Sequence, residues 1–157
     1  MNSIRAQIHR NAVALISLFI ALGSLGYNTW RNETTEAHRN IRHASFRVLE
    51  SLGELQEVVD YRYYYLPFEA SNENEGLLRL RGFGSVLMIR DLMNLMPAPG
   101  PEAGKDLHGL WNSHVNFLDE ISTGGQHSKR ATTAEQELGN AINASRKAII
   151  KVLKSPE

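Results

Sequence analysis

The feature that most constrains the fold of this chain is a run of 20 residues without a charged side chain, from Asn11 to Trp30. As an α-helix, such a run rises about 30 Å, the thickness of a bilayer's hydrocarbon core. Its large apolar side chains point all round the helix and leave no polar face: Leu15, Ile16, Leu18, Phe19, Ile20, Leu22 and Leu25. We therefore predict a transmembrane helix over residues 11–30.

Two other kinds of segment share this composition. A cleaved signal peptide has a basic start, an apolar stretch and a small-x-small cleavage site. Residues 24–26, Ser-Leu-Gly, are a poor version of that site, and the apolar stretch is long for a signal peptide. A buried helix of a soluble core is the second alternative, although all-round apolarity over this length rarely suits a small soluble domain. The membrane anchor is the preferred interpretation, and both alternatives stay open.

The flanks of the run carry side chains that are typical of membrane–water interfaces. We predict that Arg10, Tyr27, Trp30 and Arg31 are the interface anchors, with the two aromatic rings at the level of the headgroups. Basic residues are nearly equal in number on the two sides, but the tail of residues 1–10 contains no acidic residue. This favours a cytoplasmic tail and a translocated C-terminal part.

Beyond the anchor, apolar residues recur in steps of three and four, which indicates helices, and no strand pattern is found. Pro67, the segment 97–101 (PAPGP) and Gly124-Gly125 interrupt this pattern. The predicted helices cover residues of about 31–65, 72–96, 102–122 and 132–154, with Thr132 or Thr133 as the cap of the last one. Such a series is typical of an antiparallel four-helix bundle.

The predicted fold is therefore all-α: a short tail (1–10), a transmembrane helix (11–30), a helical stalk (31–40) and a four-helix bundle (41–157). The first soluble helix is about ten residues longer than the others, which corresponds to about 15 Å of rise. This surplus lies in the all-polar segment 31–40, which we expect to lift the bundle off the bilayer. The basic end of the last helix would then lie beyond the Debye length of about 8–10 Å, so we do not expect it to bind lipid.

The second soluble helix is the most apolar one and contains two glycines. Gly82 and Gly84 lower helix stability by about 1 kcal/mol each relative to Ala, but they would permit close approach by a neighbouring helix. Some of its large side chains are candidates for a face that remains after the core is filled: Leu77, Val86, Leu87 and Met93.

Composition and motifs argue against several functional classes. The formal net charge is zero and the two signs are interspersed, whereas nucleic-acid binders are usually basic. The absence of cysteine excludes disulfides, thiol catalysis and thiolate metal sites. The Glu-x-x-His motif of di-iron bundles and the common catalytic motifs are also absent. The sequence predicts no enzyme, no cofactor, no metal site and no nucleic-acid partner.

Two candidate sites remain. One is an aromatic cluster at the end of the first soluble helix, which we predict as a patch for a protein partner or a ligand: Tyr61, Arg62, Tyr63, Tyr64 and Tyr65. The alternative is that these tyrosines close the end of the bundle with their hydroxyl groups in water. The other candidate is a buried polar position on the third helix, where His114 falls on the apolar stripe beside Trp111.

Residues 26–61, GYNTWRNETTEAHRNIRHASFRVLESLGELQEVVDY, resemble the start of small uncharacterised proteobacterial proteins with one N-terminal span followed by helices. The resemblance covers about the first third of the chain and implies a bacterial inner membrane with a periplasmic domain. The layout is also similar to the four-helix sensor domains of chemoreceptors, although no second span or cytoplasmic signalling helix is expected here.

These observations predict a non-enzymatic, single-pass membrane protein with a periplasmic helical bundle. The expected role is an accessory, scaffold or interaction subunit of an envelope complex. Its expected partners are the lipid bilayer and either another protein or further copies of the chain. The alternative is a small-ligand sensor with a cavity near Tyr61–Tyr65 or His114.

Overall fold

The computed structural model describes residues 11–69 and 75–154, and over these residues the chain is helical, as predicted. Its four α-helices are α1 (Ala12–Tyr64), α2 (Glu75–Asn94), α3 (Gly100–His114) and α4 (Lys129–Lys154). Short 3₁₀ turns follow α1 and α3, at Leu66–Phe68 and Val115–Phe117. The predicted tail (1–10), with Arg10, and the predicted start of the second helix at residue 72 lie outside the described residues.

The chain divides into two units, one up to Asn40 and one from Ile41 onward, and α1 belongs to both. In the N-terminal unit, none of the 18 residues of the most apolar window is buried. By length and composition, this part of α1 is the one helix among the described residues that could cross a membrane. Its large apolar side chains from Val13 to Trp30 are all exposed, so they do not contribute to the core that the described residues form.

The C-terminal unit has one hydrophobic core, to which all four helices contribute. The core is built from aliphatic side chains at helical spacing, and Trp111, at 0% exposure, is the one fully buried aromatic ring among the described residues. Its fully buried members from α1 to α4 include Val48, Leu52, Leu55, Val59, Ile89, Met93, Trp111, Leu138, Ile142 and Ile149. The amphipathic pattern of the sequence therefore corresponds to a single packed interior.

Side-chain contacts define which helices are neighbours in this unit. Ser45 and Ser51 of α1 donate hydrogen bonds to the sulfur atoms of Met96 (3.9 Å), just beyond the end of α2, and of Met88 (3.4 Å) within α2. The part of α1 near Ser45 therefore lies beside the end of α2. On the next pair, Ser145 Oγ of α4 donates to the Ala103 carbonyl of α3 at 3.3 Å. These contacts fix the register that the candidate surfaces below depend on.

The third helix differs from its prediction at both ends. It was expected over residues 102–122, but α3 begins at Gly100 and ends at His114. The early start is compatible with Pro101, because the first turn of a helix does not use that backbone N–H. At the other end, the chain turns back on itself after the 3₁₀ turn: the Ser122 amide donates to the Gln126 carbonyl at 2.8 Å. Gly125 has a φ of 75°, which favours glycine and helps this turn.

The start of α4 also differs from its prediction. The sequence favoured Thr132 or Thr133 as the cap, but the helix begins at Lys129. The backbone N–H of Ala131 donates to Ser128 Oγ at 3.0 Å, which is the N-cap geometry. Sequence spacing missed Ser128 because the apolar stripe that marks the helix in the sequence begins only at Ala134, so the expected cap lay directly before it.

Candidate functional site

The five residues of the predicted aromatic patch do not form one surface. Arg62 and Tyr63 are buried, Tyr61 is half-buried, and Tyr64 and Tyr65 are exposed. Successive residues of an α-helix point about 100° apart, so five consecutive side chains must be distributed round the helix. The patch is thus divided into an inward and an outward half.

The inward half contains a buried ion pair that the sequence did not predict. Arg62 Nη2 lies 2.8 Å from Asp119 Oδ2, and the exposed fractions of the two side chains are 2% and 23%. Among the described residues, Arg62 Nε and Nη1 have no hydrogen-bond partner although both are buried. Asp119 lies just beyond the 3₁₀ turn that follows α3, so the pair joins the end of α1 to this loop.

Next to the ion pair, aromatic rings cover one end of the core. The Tyr63 ring stacks on His127 at a centroid distance of 3.9 Å, and Phe68 meets the same imidazole edge-on at 5.6 Å. The Tyr63 hydroxyl lies 3.2 Å from Thr132 Oγ1 of α4. In the inward half, Tyr63 therefore packs within the C-terminal unit and is not part of an exposed patch.

The outward half is held by its own polar contacts. Tyr61 donates a hydrogen bond to Glu69, and its ring stacks on Tyr65 at 5.6 Å. The negative charge of Glu135 raises the pKa of Tyr64 above the ordinary value of 10.0, with a smaller contribution from burial. The Tyr64 hydroxyl therefore stays protonated and remains a hydrogen-bond donor at physiological pH.

Trp111 and His114 lie on the same helix but face different neighbours. Trp111 is fully buried against α2, where its ring meets Phe83 edge-on at 5.8 Å, and its Nε1 has no partner among the described residues. His114 is half-buried: Nδ1 donates to the Leu110 carbonyl at 3.0 Å, and Nε2 lies 3.0 Å from Glu137 Oε2. Both imidazole nitrogens are thus used within the chain. Over the described ranges, no three potential metal ligands come together.

Within the C-terminal unit, large exposed apolar side chains lie along one face of α2, which we call the α2 stripe: Leu77, Leu80, Gly84, Leu87 and Met88. Leu77 and Leu80 are 67% and 75% exposed. A methyl group at Gly84 would meet nothing within 4 Å, so this stripe has a shallow gap in its middle. The prediction of a face that remains after the core is filled is confirmed for Leu77 and Leu87, which are both exposed. It was wrong for the other two candidates, because Val86 and Met93 fill the core.

A groove of about 670 Å³ runs between α3 and α4, and we call it the α3–α4 groove. Its floor is apolar and made largely of small side chains, and charged residues stand along its edges. The lining includes Ala103, Leu107, Ala141, Ala144 and Ala148, with Glu102 and Lys147 among the charged residues. Neither the tyrosine cluster nor His114 lines this groove.

In the N-terminal unit, the predicted interface anchors Tyr27, Trp30 and Arg31 are all exposed on α1. The two aromatic rings lie 6.1 Å apart, so they form one small aromatic surface near the end of the apolar run.

Comparison of the chain with protein-family models, curated proteins and solved structures finds no match. The functional argument therefore depends on the chain's own surfaces.

Proposed function

We propose that this chain is a non-enzymatic, single-pass membrane protein whose C-terminal unit binds another protein, as an accessory, scaffold or interaction subunit of a bacterial envelope complex. The observation that carries the proposal is the α2 stripe. Large apolar side chains at helical spacing are typical of a face that another helix covers.

Exposed apolar area on this scale is usually functional in a soluble domain. Complete burial of one leucine side chain contributes about 1.5–3 kcal/mol, and Leu77 and Leu80 are both mostly exposed. The gap at Gly84 would receive a side chain of the partner, since no atom of this chain would contact a methyl group there. A protein partner is therefore favoured over a small polar ligand for this surface.

The exposed apolar part of α1 supports the membrane anchor. Within it, Thr29 Oγ1 donates to the Leu25 carbonyl at 3.0 Å, so this hydroxyl needs no water and is compatible with a lipid surrounding. The aromatic pair Tyr27 and Trp30 suits a headgroup region at one end of the span. We place the anchor in the inner membrane, with the N-terminal tail in the cytoplasm and the C-terminal unit in the periplasm.

The inter-helix contacts support an antiparallel arrangement of the four helices in the C-terminal unit. From Ser45 to Ser51 along α1, the contacted residue moves back from Met96 to Met88, so the two segments run in opposite directions. The Ser145–Ala103 contact joins a late residue of α4 to an early residue of α3. Short connections between consecutive helices favour the same up-down topology.

The first test asks whether the protein is retained in the membrane without cleavage of its N-terminal apolar segment. Membranes that contain the full chain are washed with alkaline carbonate, and the intact mass of the retained protein is measured. We expect the chain to be retained with residues 11–30 present. Release by the wash would contradict the anchor, and a mass that lacks the apolar run would indicate a signal peptide.

The second test addresses the α2 stripe. We compare Leu80→Glu with the matched surface variant Gln136→Glu on α4, where Gln136 is also exposed. Each full chain is purified from native membranes in mild detergent, and co-purifying proteins are quantified. We expect one protein to co-purify with Gln136→Glu and its amount to fall at least tenfold with Leu80→Glu. A tenfold loss corresponds to about 1.4 kcal/mol of binding free energy. Equal recovery from both variants would contradict the proposal.

The alternative function, a small-ligand sensor, is favoured by one observation: a pocket of about 350 Å³ beside the Arg62–Asp119 pair, lined by Leu66, Pro67, Glu75, Asp119 and Ile121. Two of these residues are carboxylates and Arg62 is not among them, so the pocket suits a small organic cation. A sensor of this kind predicts that small amines raise the melting temperature of the full chain, and that Glu75→Gln reduces this shift.

A further inference from the structure

The α3–α4 groove shares no residue with the α2 stripe and has a different character. Its floor contains Ala103, Ala144 and Ala148, whose short side chains let a neighbouring helix approach closely. A groove with such a floor suits a pair of helices of a neighbouring molecule better than a compact ligand, because its length follows two helices and it stays open to solvent.

Five charged residues line this groove: Glu102, Asp106, Glu137, Lys147 and Lys151. Within the described part of the chain, Glu102 and Asp106 of α3 and Lys147 of α4 have no ion-pair partner. Of these two acids, Glu102 is the one that lies level with Lys147. The Ser145–Ala103 hydrogen bond fixes their register. Lys147 lies two residues after Ser145 and Glu102 one residue before Ala103, and in antiparallel helices both steps run in the same direction. At 1.5 Å per residue, the two charges lie at heights that differ by only about 1.5 Å.

We propose that the α3–α4 groove is the contact surface for a second copy of this chain, with a two-fold axis parallel to the groove. A rotation about this axis keeps heights unchanged and exchanges the two edges. The α3 edge of one copy therefore faces the α4 edge of its partner, and Glu102 of each copy meets Lys147 of the other. The contact is isologous, so the same ion pair forms twice and the alanine floors face each other.

The opposite pairing, with the axis across the groove, would bring Glu137 of one copy to Lys151 of the other. Those two groups are less available. Glu137 already lies 3.0 Å from His114 Nε2, and Lys151 also has an interaction within its own chain. The unpaired charges thus favour the parallel dimer. This inference does not depend on which partner covers the α2 stripe.

The natural absence of cysteine makes a direct test practicable. A full chain with Glu102→Cys and another with Lys147→Cys carry tags of different size and are reconstituted together in phosphatidylethanolamine–phosphatidylglycerol vesicles. After oxidation, we expect a mixed dimer of the two variants and little dimer of either variant with itself. The matched control pair combines Glu137→Cys with Lys151→Cys, for which we expect no enrichment of the mixed dimer.

A charge exchange gives a second readout that does not require a disulfide. Dimer content in mild detergent, measured by light scattering, should fall at least fivefold for Glu102→Lys and recover in the double variant Glu102→Lys/Lys147→Glu. Both positions are exposed, so folding should be kept, and circular dichroism verifies this. The proposal is wrong if the mixed product is absent, if same-variant dimers equal it, if the control pair cross-links as strongly, or if the double variant fails to recover. These outcomes leave the carbonate and Leu80→Glu tests unaffected.

Discussion

The space beside Gly82 is filled by the indole ring of Trp111. A methyl group at this position would lie 2.5 Å from Trp111 Cη2 and Cζ2, and 3.2 Å from Val58 Cγ1. A buried ring in a close-packed core can move only if its neighbours move too. Overpacking of this kind costs about 1–3 kcal/mol, which exceeds the gain of about 1 kcal/mol from replacing Gly by Ala in a helix. We therefore expect Gly82→Ala to lower the free energy of unfolding.

Gly84→Ala is the matched control, two residues away on the same helix. Open space surrounds a methyl group there, so only the helix propensity changes. We expect a gain of up to about 1 kcal/mol. Both variants are compared by urea unfolding of the full chain in mild detergent, followed by circular dichroism. If both midpoints moved in the same direction, the packing of Trp111 against α2 would be wrong.

The Arg62–Asp119 pair predicts an asymmetry between its two partners. Asp119→Ala leaves a guanidinium that is 2% exposed without a counter-charge, and loss of one partner of a buried pair costs about 3–5 kcal/mol. For Asp119→Ala we expect a loss near the lower end of this range, because Asp119 is partly exposed. Arg62→Met removes the charge together with two unpartnered N–H groups, so its loss should be smaller. A urea titration in which Arg62→Met is the more damaging variant would contradict this account.

Helices were predictable where one apolar stripe dominates the sequence. The α1 and α4 stripes contain the core residues Val48, Leu52, Leu138 and Ile149 at helical spacing. Burial in α2 was less predictable, because apolar residues point all round this helix and periodicity does not decide which ones face inward. Val86 and Met93 are core and Leu77 is exposed, a division that depends on where α1 and α3 pack.

The candidate site was less predictable than the helices, because its contacts join residues that are far apart in the chain. Arg62 stands among tyrosines in the sequence, which suggested an exposed patch, and its partner Asp119 is 57 residues away. Likewise, the Tyr63–His127 stack depends on a turn at Gly125 that only the fold brings beside α1. Local patterns identified the unusual segment but not the direction in which its side chains point.

The beginning of α4 gives a prediction about a helix cap. Ser128 Oγ accepts the Ala131 backbone N–H at 3.0 Å and donates to Glu120 Oε2 at 3.0 Å. Ser128→Ala should lower the free energy of unfolding by about 1 kcal/mol, since one backbone donor loses its partner. Thr133→Ala, at an exposed position that the sequence had suggested as a cap, should change stability by less than about 0.5 kcal/mol. If Ser128→Ala and Thr133→Ala lowered the free energy of unfolding equally, the assignment of Ser128 as the cap would be wrong.

The two units differ in whether their apolar surface is buried. The C-terminal unit fills its core with its own side chains from all four helices, whereas the apolar window of the N-terminal unit remains uncovered. Apolar surface that stays exposed to water is unfavourable, which supports the proposed anchor for the N-terminal unit. The C-terminal unit has a packed core of its own, whereas the apolar window of the N-terminal unit has no cover within the described residues.

This separation predicts that membrane retention and stability can be changed independently. In the double variant Leu18→Arg/Leu22→Arg, each arginine opposes insertion by about 2.5–3.5 kcal/mol near the centre of a span. We expect the full chain to leave the carbonate-resistant membrane fraction, whereas Leu18→Ala/Leu22→Ala should stay in it. The free energy of unfolding of the C-terminal unit, measured with urea, should change by less than about 0.5 kcal/mol in both, because neither residue is buried. If the arginine variant instead lost cooperative unfolding, residues 11–30 would be a core helix, and the anchor would be excluded.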